Sequence, residues 1–531
     1  MKNPVETKCA EENNSLVRIC INTILVLSVI AFAMLLVFSM IFTVYFKLYL
    51  DRNEPTVSTD NILLLVIFAT VVLFAIYLVT YHTQLLNDGR KQKQLFWLLF
   101  IIVTLLCLYL IVGTDGRPNS DAMHVSDIVN EFLSGDYSQL SEIGSYLFNC
   151  PHQLGYVAAE QFISYFVGAD NYFVYELINL VSILVALLLI NRIATETFEN
   201  IIVTEITTIL CFGMIYLYIY STYFYGDIWS LAPELASIYF VIKYIKNEYV
   251  RYPIFAGLSI GLACILKSNC QIALIAECIV LVLYLLRNFS YKDYKMCTRT
   301  MLAVICIVVI SIGMKSTLEY GYKKAAGLDS MPKGIPNACY IAMGLHENGF
   351  YSGWYDNSNW NFYSDNNYDW DAADAAAKKD IANTLSSWAK RPWHGAKVLL
   401  QKSISMWADP TCGSLHELEF TGRHSDDRSG FVMSLTYGTG RTVASWIMNV
   451  WQTIVYLGTF IYCLFAFKHR KEVKLYQILP LLFILGGIMF LMIWEANSRA
   501  TVRYMNVMVI YAAFGIDKML SGIHSKSQIN H

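Results

Sequence analysis

The chain has 531 residues, of which 56% are hydrophobic and only 15% charged, against about 25% charged in ordinary soluble domains. With 39 Lys+Arg, 41 Asp+Glu and a net charge of −2, it holds no basic excess for a phosphate polymer, which excludes nucleic-acid binding. The composition also excludes disorder and coiled coil, and apolar runs of about 20 residues make such a chain a polytopic membrane protein.

Twelve such runs are present: 16–46, 61–82, 95–113, 172–191, 201–221, 228–245, 253–269, 271–287, 300–317, 442–466, 475–494 and 501–519. At ~20 residues per span they place about 240 residues in lipid. The first run follows some fifteen polar residues and is too long for a signal h-region, so no cleavable signal is expected. The connections 83–94, 192–200, 243–252, 287–299 and 467–474 carry 3, 1, 3, 4 and 4 Lys or Arg. The short connections between them hold Lys47, Arg52 and Arg499, and the first long connection begins with Arg117. By the positive-inside rule both termini are then cytoplasmic, and the long connections 114–171 and 318–441 lie outside. This orientation depends on a break at Ser268–Asn269–Cys270, since one continuous helix over 253–287 would turn the basic loop 467–474 outward.

The chain thus divides into an N-terminal membrane module (1–317), an extracytoplasmic loop domain (318–441) and C-terminal membrane helices with a tail (442–531). No internal repeat or low-complexity stretch is visible. Cys150, Cys339 and Cys412 fall in the outer loops, an odd number that argues for no disulfide framework.

In the first loop, Ser120 is placed to cap a helix from Asp121, with Val125, Ile128, Val129 and Phe132 as its apolar stripe and Gly135 as its stop. A second amphipathic stretch after Pro151 sets Leu154, Val157, Ala158, Phe162 and Phe166 on one side. Such helices suit the membrane surface, or simply brace the bundle. The segment 350–370 holds nine aromatics among Asn, Asp and Gly. Trp354, Tyr355 and Trp360 are candidates to stack on the C–H faces of a sugar, although an interfacial aromatic belt has the same composition. An amphipathic helix follows over 371–390. Asp369, Asp371 and Asp374 at its start read as acids favoured by the helix dipole rather than as metal ligands. His416, Glu417 and His424 show no zinc spacing, so no metal is expected.

Charges inside or at the mouth of a bundle are costly and are functional candidates. Lys267 lies about 24 Å along the chain axis from Arg251, at ~1.5 Å per residue, which puts its ammonium near headgroup depth. A snorkelling lysine at a helix end would sit there too. The same level holds Asp121, Asp227 and, two turns deeper, Glu234. It also holds Glu495, Arg499 and Arg503, whose spacing of four implies one helix face and a Glu495–Arg499 pair.

These residues resemble those of the GT-C membrane glycosyltransferases, in particular bacterial relatives of the protein O-mannosyltransferases and aminoarabinose transferases. The likeness is carried by Asp121 followed by Gly135–Asp136 and the turn Asn149–Cys150–Pro151–His152–Gln153, by GLSIGLACILKSN ending near Lys267, and by WEANSR. It implies an all-α GT-C-like bundle of about twelve transmembrane helices, with outer-loop helices and an extracytoplasmic segment. It also implies transfer of a hexose or pentose from a polyprenyl-phosphate donor to an outer-face glycan, polymer or protein acceptor. In that likeness Asp121 is the general base, and Lys267 with Arg499 or Arg503 holds the donor phosphate. By their charge and position at the same level, Asp227 is a second catalytic candidate and Glu495 a candidate sugar or acceptor contact, and His152 is a candidate to take over the phosphate contact of the lysine absent at Asn149. The chain departs from the family at Ala122, where a second acid is usual, at Asn149, where lysine is frequent, and at Ala500, where tyrosine often follows the arginine. Arg503–Tyr504 restores that dipeptide one turn later. No cofactor is implied beyond the lipid-linked sugar itself, and the expected site is a plasma membrane. Two other classes fit the composition: a transporter or flippase of lipid-linked glycans, and a non-catalytic envelope-assembly protein. Transporters favour paired repeats and midplane charges, of which only Glu277 is a candidate.

Overall fold

Lipid offers no hydrogen-bond partners, so each apolar run must satisfy its backbone internally, and helices result. The computed structural model describes residues 15–49, 54–82, 89–422 and 427–529. The membrane helices before the first long loop are α1 (Ser15–Ile41), α2 (Ile62–Tyr77) and α3 (Gly89–Thr114). That loop carries α4 (Asp121–Leu133) and α5 (Leu154–Val167). Next come α6 (Tyr172–Phe198), α7 (Ile201–Phe212), α8 (Leu231–Asn247), α9 (Arg251–Leu266), α10 (Gln271–Ser290) and α11 (Tyr294–Ala325). The second long connection folds as α12 (Asn337–Gly344), α13 (Trp370–Lys390), α14 (Pro392–Trp407), α15 (Ser414–Thr421) and α16 (Gly430–Tyr437). The chain closes with α17 (Thr439–Lys468), α18 (Leu475–Ile493) and α19 (Val502–Ile529).

Among the described residues, 10 helices are long and apolar enough to cross a membrane, and α7 with the bent continuation Ile215–Thr222, turned by 53°, makes an eleventh. The remaining run is α9, a shorter apolar helix of 16 residues. The chain is therefore an α-helical, multi-pass integral membrane protein. Its lipid-facing surfaces are apolar and unpaired with protein, as on α2, where Leu63, Val71 and Phe74 are exposed. At the centre α17 and α19 approach closely: a Cβ on Gly515 would stand 1.8 Å from the Gly458 carbonyl oxygen. Such small-residue contacts replace the hydrophobic drive that lipid removes.

Three local expectations change. Run 16–46 stops being helical at Ile41, because Phe42–Phe46 pairs antiparallel with Pro55–Thr59 as a two-stranded sheet. Its Phe, Thr, Val and Tyr residues favour strand as much as lipid. Ser120 precedes α4 with φ 52° and makes no side-chain cap. On α5, Leu154 and Val157 are buried, whereas Phe162 and Phe166 are 61% and 74% exposed, so the stripe divides between the bundle and the surroundings. Asp369 caps α13 by accepting from the Ala372 amide at 2.9 Å, which accounts for an acid at that position. His424 lies outside the described residues. Cys150, Cys339 and Cys412 are free thiols.

Candidate functional site

The chain between α7 and α8 abandons regular helix. Tyr223 and Tyr225 are extended, so their side chains fall on the same side of the segment. The backbone carbonyls this frees are taken by α6: Asn179 donates to Ser221 and Tyr223 oxygens at 3.1 and 2.6 Å, and Ser182 to that of Ile228 at 2.6 Å. Gly226 then starts a short turn carrying Asp227. A Cβ on Gly226 would lie 2.1 Å from the Leu266 carbonyl oxygen, and one on Gly155 equally close to that of Ile265. These two glycines let the end of α9 press against both the first loop and the Asp227 turn. Lys267 follows in an extended conformation before a 3-10 turn over Ser268–Cys270, which separates α9 from α10 where the break was expected.

That packing brings the charges together. Lys267 Nζ donates to Asp227 Oδ2 at 2.8 Å. Arg499 Nε stands 3.7 Å from the same oxygen, and an Arg503 guanidinium nitrogen is 3.6 Å from Oδ1. Asp227 is thus a buried hub for three cations. Arg503 is itself 3% exposed and pairs with Glu234 at 3.0 Å. Arg499 is less enclosed; it pairs with Glu417 at 3.0 Å, donates to the Tyr223 hydroxyl, and lies over the Tyr223 and Tyr225 rings at 5.2 and 5.3 Å. Lys267 covers the Tyr225 ring at 4.2 Å. The Tyr225 hydroxyl accepts from Gln153 and donates to Asp121 Oδ2 at 3.3 Å. One tyrosine thereby connects the first-loop carboxylate with the cations.

Glu495 does not pair with Arg499, and the expected helix face is absent there. Ala496 forms a strand-like bridge to Trp354, its amide donating to the Gly353 oxygen at 2.7 Å, and Asn497 caps the turn that begins Ser498–Thr501. Helix resumes only at Val502. Glu495 is half-buried in this extended segment. Burial pushes its carboxyl up to about 7, with Asp121 adding and Arg499 and Lys267 opposing. Glu417 is likewise raised by burial, against the pull of Arg499.

Beneath Glu495 lies Lys402, 1% exposed on α14. Its ammonium donates to the carbonyl oxygens of Gly344, Trp494 and Met492 at 2.5, 2.5 and 3.2 Å. Burial draws it down to about 7. On the other side Asp409 accepts from the Thr411 and Gly413 amides at 2.9 and 2.7 Å, shaping the turn into α15 that presents Glu417.

The other expected residues separate clearly. His152 is exposed at the rim but ringed by protein; that enclosure and the Lys267 and Lys315 ammoniums hold its imidazole down at about 4. Asn149 is buried and structural, donating to the Gly144 oxygen and accepting from the Ile335 amide. Trp354 is 2% exposed, with its indole N–H on Ser405, so it offers no free ring face. Trp360 packs on a small second core around Tyr363 and Ala373. Tyr355 is 43% exposed, near Asp121 and Glu495. Tyr223, Tyr225 and Lys402 carry no signal in the charge and motif patterns of the sequence, where Gln153 enters only as part of the Pro151 turn and Glu417 only as a metal-ligand candidate. The alternation Tyr-Phe-Tyr before Gly-Asp was the readable signal for the two tyrosines.

A family model described as conserved hypothetical integral membrane protein matches residues 19–520. No curated protein matches. Two solved structures of ArnT from Cupriavidus metallidurans, in the apo state and bound to undecaprenyl phosphate, are similar at 12% identity and TM-score 0.32. They align over 79% of this chain and 76% and 77% of theirs.

Proposed function

The chain belongs to the family of conserved hypothetical integral membrane proteins, and from the site at its loop-bearing end we propose that it is a glycosyltransferase using a polyprenyl-phosphate sugar. The observation that carries this reading is the convergence of Lys267, Arg499 and Arg503 on Asp227, with the carboxylates of Asp121 and Glu495 beside them. Cations fixed by a buried hub suit a leaving phosphate, whose charge they stabilise without reorganising. Lys267 uses one of its three N–H donors on Asp227 and keeps the others for phosphate oxygens. Arg499 is the arginine of choice for the same group, since Arg503 is enclosed with Glu234 in a buried layer at 3% exposure, whereas 18% of the Arg499 side chain stays open.

The step is a single displacement. The acceptor oxygen attacks the anomeric carbon, the bond from that carbon to the phosphate oxygen breaks, and the configuration inverts. Asp121, exposed and bonded to Tyr225, takes the acceptor proton. The phosphate leaves as an anion held by Lys267 and Arg499, so fixed ammonium and guanidinium groups do the work of a metal. Asp227 orients the cations. Glu495 and Tyr355 contact the sugar or acceptor, and neutral His152 offers hydrogen bonding rather than charge. The donor tail lies in the bilayer, and the acceptor is a glycan, polymer or protein. The basic connections support a plasma-membrane orientation with both termini in the cytoplasm and this site outside.

The test is sugar transfer from a synthetic polyprenyl-phosphate donor by the purified protein, alongside Asp121→Asn. Transfer by the wild type and a loss of about 10²–10⁴-fold in the variant support the reading. No turnover with any hexosyl or pentosyl donor sinks it, and undiminished transfer by Asp121→Asn removes that residue as base. Cytoplasmic labelling of cysteines placed at positions 121 and 360 would overturn the orientation.

A further inference from the structure

The opposite end of the bundle holds a second concentration of charge that the transfer chemistry does not use. The start of α1, the last turn of α10 and the loop before α18 enclose a recess of about 50 Å³, lined by Arg18, Arg287, Arg470, Lys471 and Lys474. One water needs about 10–15 Å³ by this measure, so the recess has room for a tetrahedral oxyanion.

A surplus of Lys and Arg in short connections is what membrane topology asks for. Topology does not ask that five of them converge from three separate parts of the chain. Arg18, Arg287, Arg470 and Lys471 form no ion pair among the described residues. Two of the five stand where a helix disfavours them. Arg18 is in the first turn of α1, and Lys474 is the N-cap of α18. Helix N-termini carry partial positive charge, which repels a cation and attracts an anion. Arg287, by contrast, suits the C-terminal turn of α10, yet its buried Nε finds no hydrogen-bond acceptor among the described residues. That donor belongs to a residue in the wall of the recess.

From this we infer that the recess is a binding site for a phosphate group, carried by an anionic phospholipid of the leaflet opposite the transfer site. Guanidinium forks match phosphate oxygens two at a time. Val17 and Leu475 line the same recess and begin two spanning helices, so its apolar part continues toward the acyl region. A headgroup seated there joins α1, α10 and α18 through one anion. Basic recesses between spanning helices recognise lipid headgroups by this chemistry.

Native mass spectrometry of the purified full chain, titrated with phosphatidylglycerol or phosphatidylcholine, tests it. Phosphatidylglycerol should be retained preferentially, and Arg287→Gln and Arg470→Gln should each reduce that retention at least threefold. Arg470 is exposed in a loop, so its variant keeps the test open if Arg287→Gln fails to fold. Lys295→Gln, an exposed lysine outside the recess, should leave retention unchanged. Equal retention of the two lipids, or equal loss in Lys295→Gln, overturns the site. Thermal stabilisation by inorganic phosphate without lipid retention overturns the lipid as its source.

Discussion

Lys267 and Asp227 meet across 2.8 Å at the junction of two chain breaks, one between α9 and α10 and the other between α7 and α8. Each residue needs the other. The carboxylate is buried and the ammonium nearly so, and an unpaired charge at that depth is costly. Replacing Asp227 by Ala leaves three cations facing one another, and should lower stability by about 3–5 kcal/mol. Lys267→Met, which keeps the length of the side chain, should lower stability less and transfer more, by about 10²–10³-fold, as expected for loss of a preorganised charge. Thermal unfolding in detergent and donor turnover separate the two effects. Equal turnover in Lys267→Met and wild type would remove this residue from phosphate binding.

Gly226 and Gly155 permit that meeting. A methyl group at either position would stand 2.1 Å from a carbonyl oxygen at the end of α9. Backbone must therefore move, at about 1–3 kcal/mol for overpacking. Gly226→Ala should shift Asp227 away from Lys267, reducing turnover more than tenfold with only a modest fall in unfolding temperature. Gly313→Ala, at a helix position where a Cβ meets nothing, is the control and should change neither.

Much of this arrangement was legible in the residues, for a physical reason. Lipid forces apolar runs into helices, so the run boundaries found the spans, and Ser268–Asn269–Cys270 betrayed the break. Scarce charge pointed to Lys267, Asp227 and Arg499 because lipid makes charge expensive. Elements set by distant partners were not legible. Phe42–Phe46 continues an apolar run and becomes strand only because Pro55–Thr59 lies beside it. Glu495 and Arg499 are spaced like a helical pair, but the bridge from Ala496 to Trp354 keeps the segment extended. Arg499 turns instead to Glu417, a partner supplied by a fold of the second loop that no local spacing reveals. Trp354 has the composition of a sugar platform and the position of a core residue.

Arg499 and Arg503 differ in what surrounds them, which divides their roles. Arg503 is enclosed with Glu234, and removing Glu234 alone leaves the guanidinium charge in the interior. Glu234→Gln and Arg503→Met should each destabilise strongly, and the double variant should recover part of the loss, as for a buried pair. Arg499→Met should instead cut transfer about 10²-fold and weaken donor binding. Strict additivity of the Glu234 and Arg503 effects on unfolding would show that the pair is not a unit.

Glu495 and Lys402 give the site its expected pH dependence. Burial raises the carboxyl of Glu495 to about 7, so the folded protein holds a proton that the unfolded chain releases nearer 4.5. The contribution of this group to stability is therefore lost as pH rises from about 4.5 to 7, while its carboxylate becomes available for hydrogen bonding over the same window. Transfer should rise with pH toward 7, and Glu495→Gln should flatten that limb. Lys402 acts through position: it holds the Trp494 and Met492 carbonyls that precede Glu495 and touches no part of the proposed donor site. Lys402→Met keeps the volume but removes a cation whose field lowers the Glu495 carboxyl, so the limb should move further above the ordinary carboxylate range. Lys402→Arg keeps the charge and should return the limb toward its wild-type position. A purely structural role predicts a lower unfolding temperature with an unmoved pH profile, and that outcome would discard Lys402 as a positioning residue.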